Sequence, residues 1–562
     1  MSDTQILKFP QQIQVSDYDA SYVADVLVIG GGPAGAWAGL AAARAGARVV
    51  IAEKGYLGTS GAQAAAGTGA YYIKPDDPEH RSGMINARQP LAFGFSDTAW
   101  IEKVYDQSFI NQDLMSRWGY AFPRTGDGHY ERWGGMRAAD AVLFLRRQLE
   151  QHGVTILDHS PALELLLADG VAAGAAGVER KTGRTWVVRS GAVVLATGGT
   201  AFRSGIAGGH NNTGDGYLLA AEAGAQFSGM EFSGQYAIVP KGSACSKTAV
   251  YNAATLTDAH GNEVSRGKGS TIAEIQTGHL YCRLDRYDEG GRDRIQASQP
   301  MTFQYFKRYL PIDPFTETYE VEHLLEGTIR AAGGIDVSAG AATTVPGLFA
   351  AGDTTSREKL VGANQSGAGP ATAWALASGS WAGHSATLFV RRLGAAAATR
   401  RVVAAGGDAS AGLRPADARR AGVDPDALIA SVQRETLPVA KFYRREGVTM
   451  QASLERLDGL WRDARAGLAA DPLLRGADRA RAQLRAREAA AMLTAARHIF
   501  VSALERKESR GLHRRADYPV LEDSQFSHVV TDGVDTIRVR RNPVTATHAA
   551  QVVRADQEAK AS

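Results

Sequence analysis

VADVLVIGGGPAGAWAGLAAARAGARVVIAEK, residues 23–54, decides the fold of this chain. Val23–Ile29 is a short, continuous, β-branched apolar run, the pattern of a buried parallel strand. It enters Gly30-Gly31-Gly32-Pro33-Ala34-Gly35, and an Ala-rich helix follows to about Arg44, capped by Gly46. Arg48–Ala52 reads as the next buried strand. The unit is βαβ, and Gly30-x-Gly32-x-x-Gly35 sits at its first turn. Gly30 permits the tight turn, Gly32 lets a pyrophosphate approach the backbone, and Gly35 lets helix and strand pack closely. The helix N-terminus offers free N–H groups and a positive dipole end to phosphates. Glu53 ends the second strand, where a carboxylate can accept hydrogen bonds from a ribose diol. A dinucleotide is therefore expected, and this loop serves NAD and FAD alike.

With 562 residues, about three structural units are expected. The 63 glycines suit a fold with many tight turns. A net charge of +3 implies no nucleic-acid role. The only two cysteines, Cys245 and Cys282, are too few for a four-thiolate iron–sulfur cluster, and no metal-ligand spacing is present. Neither a signal peptide nor an 18-residue apolar span is seen, and without a disulfide framework the cytoplasm is the default expectation.

Outward from the fingerprint, residues 97–119, 137–151, 213–224 and 364–390 have helical periodicity. Val154–Leu157, Ala162–Leu167, Trp186–Arg189 and Ala192–Ala196 read as strands with glycine-containing turns between them. Residues 232–330 are irregular and read as an insertion. The Ala/Gly/Arg-rich stretch 394–420 reads as a linker. Residues 425–513 are helical, and a polar tail follows Pro519. The fold class expected is α/β: a Rossmann-like dinucleotide-binding domain, by resemblance an FAD-binding domain, with an inserted α+β domain, by resemblance a capping domain, and a C-terminal helical domain. The expected boundaries are 1–231 and 331–393 for the FAD-binding domain, 232–330 for the insertion, 394–420 for the linker and 421–562 for the C-terminal part.

FAD is distinguished from NAD by resemblance. VVLATGG at 193–199 and TVPGLFAAGD at 344–353 resemble two segments of glutathione-reductase-like FAD proteins, in which the Gly-Asp acid binds a ribityl hydroxyl. Most of the chain resembles the flavoprotein-subunit family of fumarate reductase and succinate dehydrogenase, which includes L-aspartate oxidase and the adenylylsulfate reductase α subunit. Gly30–Gly35, Thr59-Ser60-Gly61-Ala62, Thr213-Gly214-Asp215-Gly216, Met230-Glu231-Phe232, Gly362-Ala363-Asn364, Glu508–His513 and Asp517-Tyr518-Pro519 carry that resemblance. It implies FAD contacts from Gly30, Gly32, Pro33, Ala34, Gly35, Glu53, Lys54, Thr59, Ser60, Gly61, Ala196, Thr197, Gly198, Asp215, Gly352, Asp353, Gly369 and Pro370.

The departures from the family are specific. Where many members carry the histidine that bonds FAD covalently, this chain has Gly61, so a non-covalent FAD is expected. Two histidines of the dicarboxylate-handling members are replaced, one by Tyr236 and the other within Thr328–Gly334, which has none. The arginine after Gly-Ala-Asn is Gln365. A guanidinium fork makes two charge-assisted bonds to a carboxylate and an amide cannot. Succinate and fumarate are therefore not the expected substrates.

Tyr236, Arg283, His323, Arg330 and Gln365 lie in the insertion or at its return, where the family's site lies, and are the catalytic candidates. Arg283 and Arg330 would orient an anion or relay a proton, and Tyr236 would donate one. Against these stand the ordinary roles of solvated arginine and packed tyrosine. His210 either lines the flavin pocket or stabilises its loop, and Arg475–Arg487 is either a docking face or a solvated helix face laced with i,i+4 pairs. Electrons are expected to pass to a separate ferredoxin-like iron–sulfur protein, or alternatively to O2 as in L-aspartate oxidase. A non-catalytic FAD-binding protein is the reading of another class. The oligomeric state is left open.

Overall fold

The structure is a computed structural model and describes residues 14–66, 69–122, 138–246, 248–265, 279–365, 367–394, 400–417 and 422–544. The rest of the polar lead-in and of the C-terminal tail, residues 395–399 and 418–420 of the expected linker, and residue 137 of the second helix lie outside these.

The fingerprint forms β1 (Ala20–Ile29), α1 (Pro33–Arg44) and β2 (Val49–Ala52). β1 pairs parallel with β2, Val26 opposite Val49, and its apolar end is fully buried. Beyond several helices, three more strands follow, β3 (Thr155–Leu157), β4 (Ala162–Ala168) and β5 (Val171–Val178), before β6 (Thr185–Leu195). The sheet order is Val403–Ala404, β4, β5, β6, β1, β2, β3, with Leu348–Ala350 pairing β6 in parallel.

Two sequence expectations change here. Trp186–Arg189 and Ala192–Ala196 are one strand, not two. Gly191, where the pattern breaks, lets the helix Ala368–Leu393 lie against β6: an added Cβ would stand 2.7 Å from Val390. β5, VAAGAAGV, reads as turn because it lacks large residues. Its glycines are steric necessities, since a Cβ at Gly174 would meet the Val188 carbonyl at 2.0 Å and one at Gly177 the Pro161 carbonyl at 2.1 Å. The same logic explains the small-residue composition of Ala368–Leu393. Gly379 and Gly383 would place a Cβ 2.4 and 2.1 Å from the carbonyls of Ala34 and Ala38 on α1, so the two helix backbones touch.

The insertion holds a four-stranded antiparallel sheet, ordered Tyr236–Pro240, Tyr319–Leu325, Leu280–Arg283, Thr255–Thr257, with helices Glu289–Ser298 and Pro300–Arg308. It has its own core around Ile238, Tyr251, Leu256, Phe306 and Tyr319. Its polar and aromatic interleaving masked this order. The stretch expected as a linker is partly built into the fold: Val403–Ala404 adds a strand beside β4, and Arg414 pairs with the buried Glu164.

The C-terminal part holds helices Pro425–Thr436, Gly447–Gly467 and Gly476–Glu505. The expected polar tail is instead a hairpin, Ser527–Asp532 with Arg538–Pro543, which joins Phe227–Ser228 in a second sheet and buries Val529 and Val530. Arg487, expected on a solvated face, is buried and makes two bonds to Glu222 at 2.8 and 2.6 Å. Among the described residues no helix is long and apolar enough to cross a membrane, and no cluster of three His, Cys, Asp or Glu could hold a metal ion.

Candidate functional site

A cavity of about 550 Å³ opens at the carboxyl ends of β1, β2 and β6. In open α/β sheets this crevice is where ligands bind. Gly30 turns the chain at φ +108°, and a Cβ there would stand 2.3 Å from the Ala196 carbonyl. Gly35 is tighter, with its hypothetical Cβ 1.8 Å from the Gly30 carbonyl. A Cβ at Gly32 would meet nothing within 4 Å, because it would project into open space beside the cavity. Gly32 is also the N-cap of α1, no side chain caps that helix, and Pro33 and Ala34 line the cavity. Uncapped N–H groups, a positive helix end and a bare backbone are what a pyrophosphate requires.

Glu53, 7% exposed, projects from the end of β2. It accepts bonds from the N–H of Gly31 at 2.5 Å, the N–H of Gly55 at 2.6 Å and the Ser60 hydroxyl at 2.8 Å. The acid thus fixes the glycine loop and the Thr59–Gly61 turn together. Gly61 has φ +84°, and its hypothetical Cβ stands 3.4 Å from Gly32 Cα, so this turn borders the phosphate loop. Lys54 Nζ donates to Asp215 at 2.8 Å, to Glu488 at 3.1 Å and to the Thr213 hydroxyl at 3.1 Å. Burial disfavours its charge, but the Asp215 and Glu488 carboxylates outweigh burial and push its pKa upward.

The other wall comes from Ala196, Thr197 and Gly198 after β6, and from Gly352 and Asp353 after Leu348–Ala350. Asp353 receives a 2.5 Å bond from Arg357. Arg357, fully buried, also donates to the carbonyls of Thr328, Ile329 and Ala331. Burial pushes the Asp353 carboxyl up, and Arg357 and then Arg330 counter part of that. FAD fits this donor and acceptor set: the helix end would take phosphates, Glu53 and Asp215 would face adenosine hydroxyl and amine groups, and Asp353 would face the ribityl chain.

The structure separates the catalytic candidates. Arg330 lines the cavity and pairs with Glu326 at 3.0 Å. Tyr236 is outside its lining: its hydroxyl is buried, donates to the Leu437 carbonyl at 3.0 Å, and burial pushes its pKa far up. His323 lies on the inserted sheet opposite Ile238, and burial, then Arg444, push it down to about 4. Arg283 is an exposed arginine held by Asp285 at 2.9 Å, the ordinary solvated role. Gln365 donates its N–H to Asn364 Oδ1 at 2.8 Å and accepts from Arg88 through its carbonyl at 3.3 Å. Gly369 packs against the Tyr71 ring, and the next turn of its helix, Ala371, Thr372 and Ala375, lines the cavity in place of Gly369 and Pro370. His210 lines the cavity and lies 3.1 Å from Arg203. Sequence reading missed Tyr56, His159, Arg180 and Glu488. No local pattern marks Glu488, which sits 434 residues from Lys54 in an Ala-rich helix.

The FAD binding domain family profile matches residues 25–371, and the fumarate reductase flavoprotein C-terminal profile matches residues 441–557. The chain belongs to the fumarate reductase/succinate dehydrogenase flavoprotein family. It is an FAD-dependent oxidoreductase. A fumarate reductase flavoprotein subunit of Mycobacterium tuberculosis is 28% identical over 93% of this chain and 97% of its own length. An L-aspartate oxidase of Streptomyces coelicolor is 27% identical over 92% of both. The fold is shared with a mutant E. coli quinol fumarate reductase, at TM-score 0.76 and 22% identity over 94% of this chain and 98% of that one. It is also shared with the adenylylsulfate reductase of Archaeoglobus fulgidus, at TM-score 0.72 and 18% identity over 96% and 98%.

In this family member two motifs some 275 residues apart in sequence meet in the core. Glu231 of Met-Glu-Phe accepts from Arg506 at 2.8 Å; Arg506 also donates to Glu508 at 2.9 Å, and Glu508 accepts from Arg510 at 2.7 and 3.0 Å. Glu231, Arg506 and Glu508 have no exposed side-chain surface. The network clamps the C-terminal helical part onto the FAD-binding part.

Proposed function

We propose that this flavoprotein is the catalytic subunit of a reductase or dehydrogenase that holds FAD without a covalent bond, exchanges electrons with a separate ferredoxin-like iron–sulfur protein, and acts on a substrate other than succinate or fumarate. The observation that carries the first part is Gly61, which borders the phosphate loop and has no side chain with which to bond a flavin. FAD supplies hydride and electron transfer at its ring. The chain's own residues hold and orient it. The α1 N-terminus and Gly32 take the phosphates, Glu53 and Asp215 the adenosine, and Asp353 the ribityl chain, while Arg330 brings a positive charge to the cavity wall.

The electron partner is inferred from chemistry. Cys245 and Cys282 are both buried, and two thiols are too few for a cluster of the chain's own. The substrate reading is supported by Gln365, whose polar backbone atoms bond Asn364 and Arg88 and whose amide cannot replace a guanidinium fork. The curated relatives are named for fumarate reduction and aspartate oxidation, and both of those substrates carry carboxylates of the kind a guanidinium fork binds.

The test is anaerobic reduction of the protein's flavin, followed by mixing with a small ferredoxin, with fumarate and with O2 in separate runs. Fast reoxidation by ferredoxin and none above background by fumarate is the expected pattern. Fast reoxidation by fumarate contradicts the substrate reading. Reoxidation by O2 alone contradicts the partner and favours an oxidase.

A further inference from the structure

The cleft has a wall that the fingerprint does not supply. Glu488 lies within the long helix Gly476–Glu505, its side chain 8% exposed, and it lines the cavity beside Lys54 and Asp215. One carboxylate oxygen accepts from Lys54 at 3.1 Å and the other from Arg203 at 2.9 Å, with Arg485 at 3.7 Å from the latter. Lys54 directs its remaining donors at Asp215 and Thr213. A three-donor ammonium with three placed acceptors has one position open to it. Asp215 keeps a quarter of its side chain exposed, and Glu53 precedes Lys54 in the chain, so with Glu53 read as the ribose acid this cluster belongs to the adenosine half of the cleft.

We infer that Glu488 is a cofactor-positioning residue: it fixes Lys54 and Asp215 for the adenosine of FAD, so that FAD binding and docking of the C-terminal helix form one coupled equilibrium. This rests on the reading that FAD occupies the cleft. Removing the carboxylate charge leaves two partly buried cations, Lys54 and Arg203, short of a counter-charge, and a charge held away from water that loses its partner is destabilised and turns to the acceptors that remain. The nearest acceptor for Lys54 is Asp215, and a Lys54 drawn wholly onto Asp215 takes lone pairs that a hydroxyl or amine of the adenosine uses. Coupling is reciprocal, so a ligand that orders Lys54 and Asp215 must tighten the helix by the same free energy.

Glu488→Gln keeps the shape and removes the charge. In full-length protein, the Kd for FAD and for ADP is expected to rise about tenfold or more, and the melting midpoint is expected to fall further with FAD bound than without it. A merely structural role lowers both midpoints equally and leaves the Kd in place. A second measurement needs no variant: in the unmutated chain, ADP should slow hydrogen exchange of the amides in the turn around Glu488. A Kd within about twofold of the parent, or no added protection with ADP, overturns the inference. If the unmutated chain binds neither FAD nor ADP, the proposed function falls with it. If it binds both and Glu488→Gln changes nothing, this inference falls alone.

Discussion

Gly32→Glu should leave the chain folded and weaken FAD binding at least about a hundredfold, about 2.7 kcal/mol. The position has φ −69° and ψ −179°, which any residue adopts, and an added Cβ meets nothing within 4 Å. The new side chain projects toward the cavity at the helix N-terminus, where it would occupy space meant for the pyrophosphate. Its charge repels phosphate by about 1–4 kcal/mol at 4 Å, between the bulk-water and near-surface limits. Equilibrium dialysis or flavin fluorescence reads the Kd, and circular dichroism confirms the fold. Gly35→Ala makes the contrast: its Cβ would stand 1.8 Å from the Gly30 carbonyl, so the strand–helix junction itself must open. That variant should lose the folded state, whether or not FAD is supplied. Unchanged FAD affinity in a folded Gly32→Glu would mean that the helix N-terminus is not the phosphate site.

Arg506→Met carries the second large effect. The guanidinium bonds Glu231, Glu508 and the carbonyls of Gln525 and Ser527, and stacks near Phe95 and Phe232 at 5.3 and 5.0 Å. Methionine fills much of the volume but leaves Glu231 as a buried carboxylate without its counter-charge. Removing one partner of a buried pair costs about 3–5 kcal/mol. The apparent melting midpoint should drop by several degrees or the protein should fail to accumulate. Arg286→Met is the matched control, because Arg286 and its partner Glu263 are both more than half exposed, and such pairs contribute about 1 kcal/mol or less. Equal midpoints for the two variants would contradict the clamp.

What the sequence could show depended on how local each cause was. β1, α1 and β2 were legible because burial, turn and helix start all lie within 31 consecutive residues, at Val23–Glu53. β5 was not, because a strand of alanine and glycine is set by its neighbours: Gly174 and Gly177 are small so that Val188 and Pro161 can approach. The hairpin after Pro519 was not, because its partner is Phe227–Ser228, some 300 residues earlier. In the site, Gly30, Gly32 and Glu53 follow from motif spacing and Asp353 from the resemblance to FAD proteins, and the cavity forms around them, while Gly35 packs behind it against Gly30. Arg283 and His323 were chosen by their place in the insertion, which does not say which face of a sheet they occupy. Glu488 needed the tertiary fold, since a helix surface position acquires its meaning only from what docks there.

The central claim is that the cleft at Gly30–Gly35 holds FAD that dissociates. The direct measurement is to purify the full chain, saturate it with FAD, remove the excess, precipitate it with acid, and assay the supernatant for FAD against protein. One FAD per chain in the supernatant, with a colourless pellet, is the result this account predicts. Flavin retained in the pellet would contradict it, and with it the role given to Gly61.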